Sequence, residues 1–165
     1  MIQKINKLNL FIAFLAVFAL IQFKVIDKSP IEINPESDFL IIEQAPKEVV
    51  ELIQTSCYDC HSNLTTYPWY SNIAPVSWWL KGHIDKGRGK LNFSEWDSYS
   101  IEESDTLKVK SADMIEKKWM PILTYKIIHK ESRLSDEQRA LLIGWLKKKS
   151  STHLEYIFGN HETIL

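Results

Sequence analysis

The only two cysteines of the chain are Cys57 and Cys60, and His61 directly follows the second. This C-x-x-C-H pattern is typical of the attachment site of a c-type haem. In such a site each thiol adds to one vinyl group of the haem, and the imidazole of the next residue binds the iron. The motif therefore predicts one covalently attached haem c, with His61 as the proximal iron ligand.

Other uses of the same three residues are a disulfide between the cysteines, a redox dithiol, or half of a zinc site. A zinc site needs a second Cys or His pair at ligand spacing, and the chain has no further cysteine. A thioredoxin-like motif follows a strand in a βαβ pattern, and no such strand is predicted before Cys57. The histidine register and the export signal described below favour the haem.

A methionine late in the chain is a candidate for the sixth iron ligand. Met120 precedes Pro121 ahead of the last predicted helix, and class I cytochromes c bring a thioether sulfur to the iron from such a loop. The alternative is that the methionine fills a gap in the core, which is its usual role. With the haem motif upstream, we expect Met120 to bind the iron.

His83 is the second candidate for the sixth position. It shares a predicted helical face with Val76, Trp79 and Leu80. A lone histidine on an apolar face is usually a hydrogen-bonded core residue, but beside a haem it becomes a candidate iron ligand or distal hydrogen-bond donor. Trp79 is expected to wall the flat apolar ring. Of the two candidates, the sequence favours Met120 over His83.

Two further sets of groups are expected around the haem. The backbone carbonyl of Pro68 or Pro75 is a candidate to orient His61 through its second ring nitrogen. Arg88 and Lys90 are candidate partners of the haem propionates, the alternative being that both charges are simply solvated.

Residues 1–26 have the pattern of an export signal. Lys4 and Lys7 precede an apolar run from Leu8 to Phe23, and Lys24 closes it. Cleavage needs small residues at the end of the run, and large ones stand there, so a retained transmembrane helix is favoured over a cleaved signal peptide. A basic N-terminus stays in the cytoplasm. The sequence thus predicts a single-pass protein of the bacterial cytoplasmic membrane, with its haem domain in the periplasm.

The remaining chain divides into three predicted parts. Residues 27–45 are a Pro-containing linker whose apolar patch at 39–42 is expected to dock as an extended segment; residues 46–149 form the c-type haem-binding domain, and residues 150–165 are a C-terminal tail. Helices are predicted over 46–56, 75–86, 104–118 and 135–149, the last opened by a capping box of Ser135 and Gln138. The predicted fold is mainly α, a class I cytochrome c-like helical domain around one covalently attached haem, preceded by an N-terminal transmembrane helix.

Several motifs together resemble those of the bacterial haem-binding domain family, a group of c-type cytochrome-like exported proteins. They are the run Cys-Tyr-Asp-Cys-His-Ser-Asn at 57–63, Tyr-Pro-Trp-Tyr at 67–70, Ile-Ala-Pro-Val-Ser-Trp-Trp at 73–79, then His83, Gly-Arg at 87–88 and Leu-Asn-Phe-Ser-Glu-Trp at 91–96. The resemblance covers roughly residues 46–146 and places a Met-Pro pair at 120–121. It implies a covalent haem, and c-type attachment in known families is completed outside the cytoplasmic membrane.

Two functions are compatible with these observations. The favoured one is an electron carrier in which His61 and Met120 saturate the iron, with a periplasmic or membrane redox protein as partner; an enzyme is less favoured. The other is a haem protein that binds a gas or peroxide, with His83 on the distal side. A thiol redox or disulfide-bearing module is the third interpretation, without haem. The balance of 20 basic and 21 acidic residues gives no reason to expect a nucleic-acid partner.

Overall fold

A computed structural model describes residues 6–148, and every regular element within that range is helical. The helices are α1 (Lys7–Ile21), α2 (Phe39–Ile42), α3 (Lys47–Ser56), α4 (Tyr58–His61), α5 (Val76–Arg88), α6 (Ile101–Glu116), α7 (Leu123–Ile128) and α8 (Asp136–Leu146). Short 3₁₀ turns occupy Pro35–Ser37, Trp69–Asn72, Phe93–Ser98 and Lys130–Ser132. The prediction of a mainly helical protein is confirmed. The predicted tail at 150–165 lies outside the described residues.

The N-terminal apolar helix is shorter than predicted. Helix α1 has 15 residues, whereas about 20 are needed to cross the hydrocarbon core of a bilayer. Across residues 6–148, no helix has both the length and the hydropathy that a membrane span requires. The prediction of a transmembrane helix over residues 1–26 is therefore wrong, and so is the predicted single-pass localisation in the cytoplasmic membrane with a periplasmic domain.

The end of α1 is held by polar contacts with Ala74, just before α5, and with the first turn of α5. The side-chain amide of Gln22 accepts a hydrogen bond from the Ala74 N–H at 2.9 Å and donates one to the Ala74 carbonyl at 3.1 Å. The Lys24 carbonyl accepts from the indole N–H of Trp78 at 2.8 Å. These bonds use polar groups that the sequence pattern had placed at the end of a membrane span.

Helices α6 and α8 pack against each other, and each begins at a capping box. The predicted pair Ser135 and Gln138 caps α8 as expected. Helix α6 begins three residues before the predicted position because Ser100 and Glu103 form a second box.

The core is built around Phe39 of α2, which is fully buried. Its ring lies 4.7 Å from that of Phe93, 4.4 Å from that of Trp96 and 5.4 Å from that of Trp145, measured between centroids. The patch at 39–42 thus forms a helix, where an extended segment was expected, and Phe39, Leu40 and Ile42 belong to the same core as α3 and α8. The division of the chain into domains stays a prediction.

A buried ion pair ties this segment to α6. The Lys108 ammonium lies 2.8 Å from one carboxylate oxygen of Glu43, and the indole N–H of Trp96 donates to the other oxygen at 3.1 Å. A buried charge is tolerated when it is paired and hydrogen-bonded in this way, because its lost hydration is replaced.

Helix α5 crosses α4 at a glycine. A Cβ atom added to Gly87 would lie 2.6 Å from the Cys60 carbonyl oxygen, whereas one added to Gly82 of the same helix would have no atom within 4 Å. The missing side chain of Gly87 therefore lets the two backbones approach, and this approach carries the chain after α5 to the cysteine motif.

Exchange of these two glycines for alanine should have opposite effects on stability. In Gly87→Ala the new methyl group meets a backbone oxygen that no side-chain rotation can move, and overpacking of this kind costs about 1–3 kcal/mol. In Gly82→Ala the methyl group meets nothing, and the gain in helix propensity is about 0.5–1 kcal/mol. Urea unfolding of both variants measures the difference, and equal midpoints would contradict the close packing at Gly87.

Candidate functional site

The two cysteines and His61 lie on one tight turn of the chain. Cys57 ends α3 with a non-helical backbone (φ −128°), its N–H still bonded to the Ile53 carbonyl at 2.9 Å. Helix α4 then starts at once, and the His61 N–H donates to the Cys57 carbonyl at 3.0 Å. Both thiols are free.

The backbone carbonyl of Leu91 orients the imidazole of His61. Its Nδ1 lies 3.1 Å from the carbonyl oxygen of Leu91, and because a carbonyl can only accept, Nδ1 carries the proton. Nε2 then keeps its lone pair, as a metal ligand must. The sequence had suggested the carbonyl of Pro68 or Pro75 for this role, but the close approach at Gly87 brings Leu91 instead.

The electrostatic surroundings also favour a neutral His61. Burial lowers the pKa of the imidazole, and the nearby Lys90 charge acts in the same direction, while the Leu91 and Gly87 carbonyls partly oppose them. Burial is the largest of these effects, so the uncharged ring that can bind a metal is the stable form.

His61 and Met120 line the same apolar cavity, which has a volume of about 230 Å³. Cys57 borders it too. The other lining residues are Ile53, Ser56, Lys90, Leu91, Phe93, Leu107, Lys110, Ser111, Met114, Ile115, Pro121 and Leu146. The structure thus brings Cys57, His61, Met120 and the candidate propionate partner Lys90 to one cavity, and adds Met114, which was not among the candidate ligands.

The loop that carries Met120 is fixed by backbone bonds. Lys118, in the left-handed region at φ 58°, reverses the chain after α6, and the N–H groups of Trp119 and Met120 both donate to the Met114 carbonyl, at 3.0 and 3.2 Å. The Arg139 guanidinium of α8 reaches the carbonyls of Ile115, at 3.0 Å, and Met120, at 3.4 Å. Arg139 was not identified from the sequence, because its helix lies far from the loop along the chain.

Trp79 and His83 line a second cavity of about 520 Å³, on the side of Cys60. The protonated Nδ1 of His83 donates to the Trp79 carbonyl at 2.9 Å, within one turn of α5, and the two rings lie 4.1 Å apart. Both cavities border the cysteine motif, but His83 does not share a cavity with His61. Met120 does.

The surroundings of the two thiols disfavour the thiolate form. Burial raises the pKa of Cys57 to about 12, helped by Cys60, and burial raises that of Cys60 to about 11, with Asp59 adding to the rise and Arg88 opposing it. Redox dithiols depend on a lowered thiol pKa, which makes the thiolate available. These thiols therefore lack the property that a thioredoxin-like site needs.

Asp59, between the cysteines, connects the motif to the helix after Met120. Its Oδ2 accepts from the hydroxyl of Tyr125 at 2.6 Å, and its Oδ1 accepts from the Thr66 N–H at 2.9 Å. Burial, and then the Asp59 carboxylate, hold the pKa of Tyr125 well above its ordinary value, so the tyrosine stays a donor. No sequence pattern links these residues.

Arg88 is engaged near the motif. Its Nε donates to the Ser62 carbonyl at 2.7 Å, and one terminal nitrogen donates to the Thr65 hydroxyl at 2.7 Å. The side chain thereby holds the loop after α4 in place. A contact with a haem propionate, which the sequence suggested, would require Arg88 to line a cavity, and it lines neither of the two.

The donor set around the first cavity is a neutral imidazole, the thioethers of Met114 and Met120 and a free thiol, with the second thiol at the adjoining cavity. Nitrogen and soft sulfur donors around an apolar space fit an iron porphyrin, whose ring is flat and apolar and whose iron takes His and Met as axial ligands.

Comparison with known proteins agrees with this chemistry. The model of the haem-binding domain matches residues 16–148, most of the chain, while no curated protein and no solved structure matches. The resemblance suggested by the sequence motifs is thus confirmed: the chain belongs to the haem-binding domain family, and its cofactor is haem.

Proposed function

We propose that the protein carries one haem c, which Cys57 and Cys60 would hold covalently and whose iron His61 and Met120 would bind, and that it transfers electrons. The observation that carries this proposal is that His61 and Met120 line one apolar cavity while His61 keeps Nε2 available. When bound, the haem supplies an iron that changes between its ferrous and ferric states.

The residues around the cavity have separable roles in this proposal. The Leu91 carbonyl holds the proton of His61 on Nδ1 and fixes the plane of the ring. Arg139 and the Met114 carbonyl hold the backbone of Met120. A thioether ligand and a dry, apolar surrounding both favour the ferrous state and so raise the reduction potential.

Electron transfer follows from the ligand count. With His61 and Met120 both at the cavity, the two protein side chains would leave no iron position for a substrate, so a bound haem would supply electron exchange alone. The corresponding partner is another redox protein.

The alternative, a haem that binds a gas or peroxide beside His83, is less well supported. It requires His83 to face the iron from the side opposite His61, yet the two histidines line different cavities. A ligand-binding function would gain support only if Met120 left the iron free.

Replacement of Met120 by alanine should convert a low-spin, six-coordinate haem into a high-spin or CO-binding one. The variant loses the methionine sulfur at the iron but keeps the covalent bonds between the haem and the two cysteines. Optical spectra of protein made with a haem-attachment system measure the change. Met114→Ala, at the wall of the same cavity, and His83→Ala, in the other cavity, are the matched controls and should keep the low-spin spectrum. If His83→Ala or Met114→Ala alone opened the iron, Met120 would not be the ligand.

The covalent link predicts a mass that survives denaturation. Unfolded wild-type protein should carry the mass of one haem, and the Cys57→Ala/Cys60→Ala double variant should carry none, because only thioether bonds withstand denaturant. Denaturing mass spectrometry decides between them. A wild-type chain without added mass after co-production with the attachment system would refute covalent binding.

A further inference from the structure

Positive charge is distributed unevenly between the two cavities. Lys90, in the turn after α5, and Lys110, on α6, both line the cavity of His61 and Met120, and no Asp or Glu of the described chain lines it. The cavity of His83 has no Lys, Arg, Asp or Glu among its described lining residues. An apolar cavity with cations at one place suits a ligand that has an apolar body and an acidic edge.

These two lysines differ from Lys108, their neighbour on α6. Lys108 is buried and has the carboxylates of Glu43, at 2.8 Å, and Asp105, at 3.8 Å. Lys90 and Lys110 are exposed, and within residues 6–148 neither forms an ion pair. Residues 6–148 therefore supply carboxylates to the buried Lys108 but none to the two lysines at the cavity.

Other polar groups near this cavity are already engaged. The hydroxyl of Ser111 donates to the Leu107 carbonyl at 2.8 Å, so its proton is not available to an anion. Arg88 is bonded to the loop at 62–65. The hydroxyl of Ser56, which also lines the cavity, donates to the Ser132 carbonyl at 3.4 Å. Among the described side chains at the cavity, the ammonium groups of Lys90 and Lys110 are the donors that remain.

On the basis of the proposed function, we propose that Lys90 and Lys110 bind the two propionate carboxylates of the haem at the rim of the cavity of His61 and Met120. The haem then has its thioether edge at Cys57 and Cys60 and its acidic edge towards the turn after α5 and towards α6. Charge-assisted hydrogen bonds from two different elements fix the direction of that edge. Because both ammonium groups are solvent-exposed, they orient the ring more than they hold it.

The first test is lysine acetylation of the haem-loaded wild-type protein. Lys86 is the matched control, since it is exposed, lies on α5 close to Lys90 and lines neither cavity. Contact with a carboxylate keeps an ammonium group protonated, so Lys90 and Lys110 should react several-fold more slowly than Lys86 in peptide mass spectrometry. Equal acetylation of the three lysines would overturn the proposal.

The second test is the resonance Raman spectrum of the propionate bending mode. The Lys90→Gln/Lys110→Gln variant should shift this band, whereas Lys86→Gln should leave it as in the wild type. An unshifted band in a double variant that carries its haem would contradict the propionate contacts. If the double variant does not load haem, acetylation of the wild-type protein decides alone. A wild-type chain that carries no covalent haem refutes the proposed function itself, which denaturing mass spectrometry detects separately.

Discussion

The close contact between Gly87 and the Cys60 carbonyl determines the histidine side of the site. A side chain at this position would push α5 away from α4, and the turn that follows α5 would move with it. That turn contains Leu91, whose carbonyl receives the His61 proton, and Lys90, which lines the cavity beside it. Access of backbone to backbone, which only glycine permits here, thus fixes both the tautomer of the histidine and the position of a charge.

The site combines a local part and a long-range part. The cysteines and His61 come from one turn and are held by hydrogen bonds within a few residues. Met120 reaches the same cavity only because α6 packs on α8 and because Arg139 and Tyr125 join its loop to other elements. Short-range bonds fix the histidine side, and tertiary packing fixes the methionine side.

This difference explains what could be predicted from the sequence. The haem motif of Cys57, Cys60 and His61 lies within five consecutive residues, so the sequence alone predicted a haem. The Met-Pro pair at 120–121 is likewise local and made Met120 a candidate ligand. No such local signal exists for the Leu91 carbonyl, for Arg139 or for the hydrogen bond between Asp59 and Tyr125. Each of these contacts joins residues far apart in sequence, so the fold alone brings the partners together.

The prediction of a transmembrane helix at the N-terminus was wrong for a related reason. Hydropathy alone extended the apolar run to a membrane span, whereas Gln22 and Lys24 bond to Ala74 and Trp78, contacts between residues far apart in sequence. Likewise, prolines at 30 and 35 suggested a linker, yet Phe39 shortly after them lies at the centre of the core.

The contacts of Arg139 link local unfolding of α8 to the position of Met120. Its guanidinium, on α8, donates a hydrogen bond to the backbone carbonyl of Met120. Leu146 of the same helix lines the cavity. In the proposed haem-bound protein, fraying of the last helix would loosen the Met120 side of the cavity before the His61 side. The occupancy of the methionine at the iron would then report, from inside the protein, how firmly its C-terminal helix is docked.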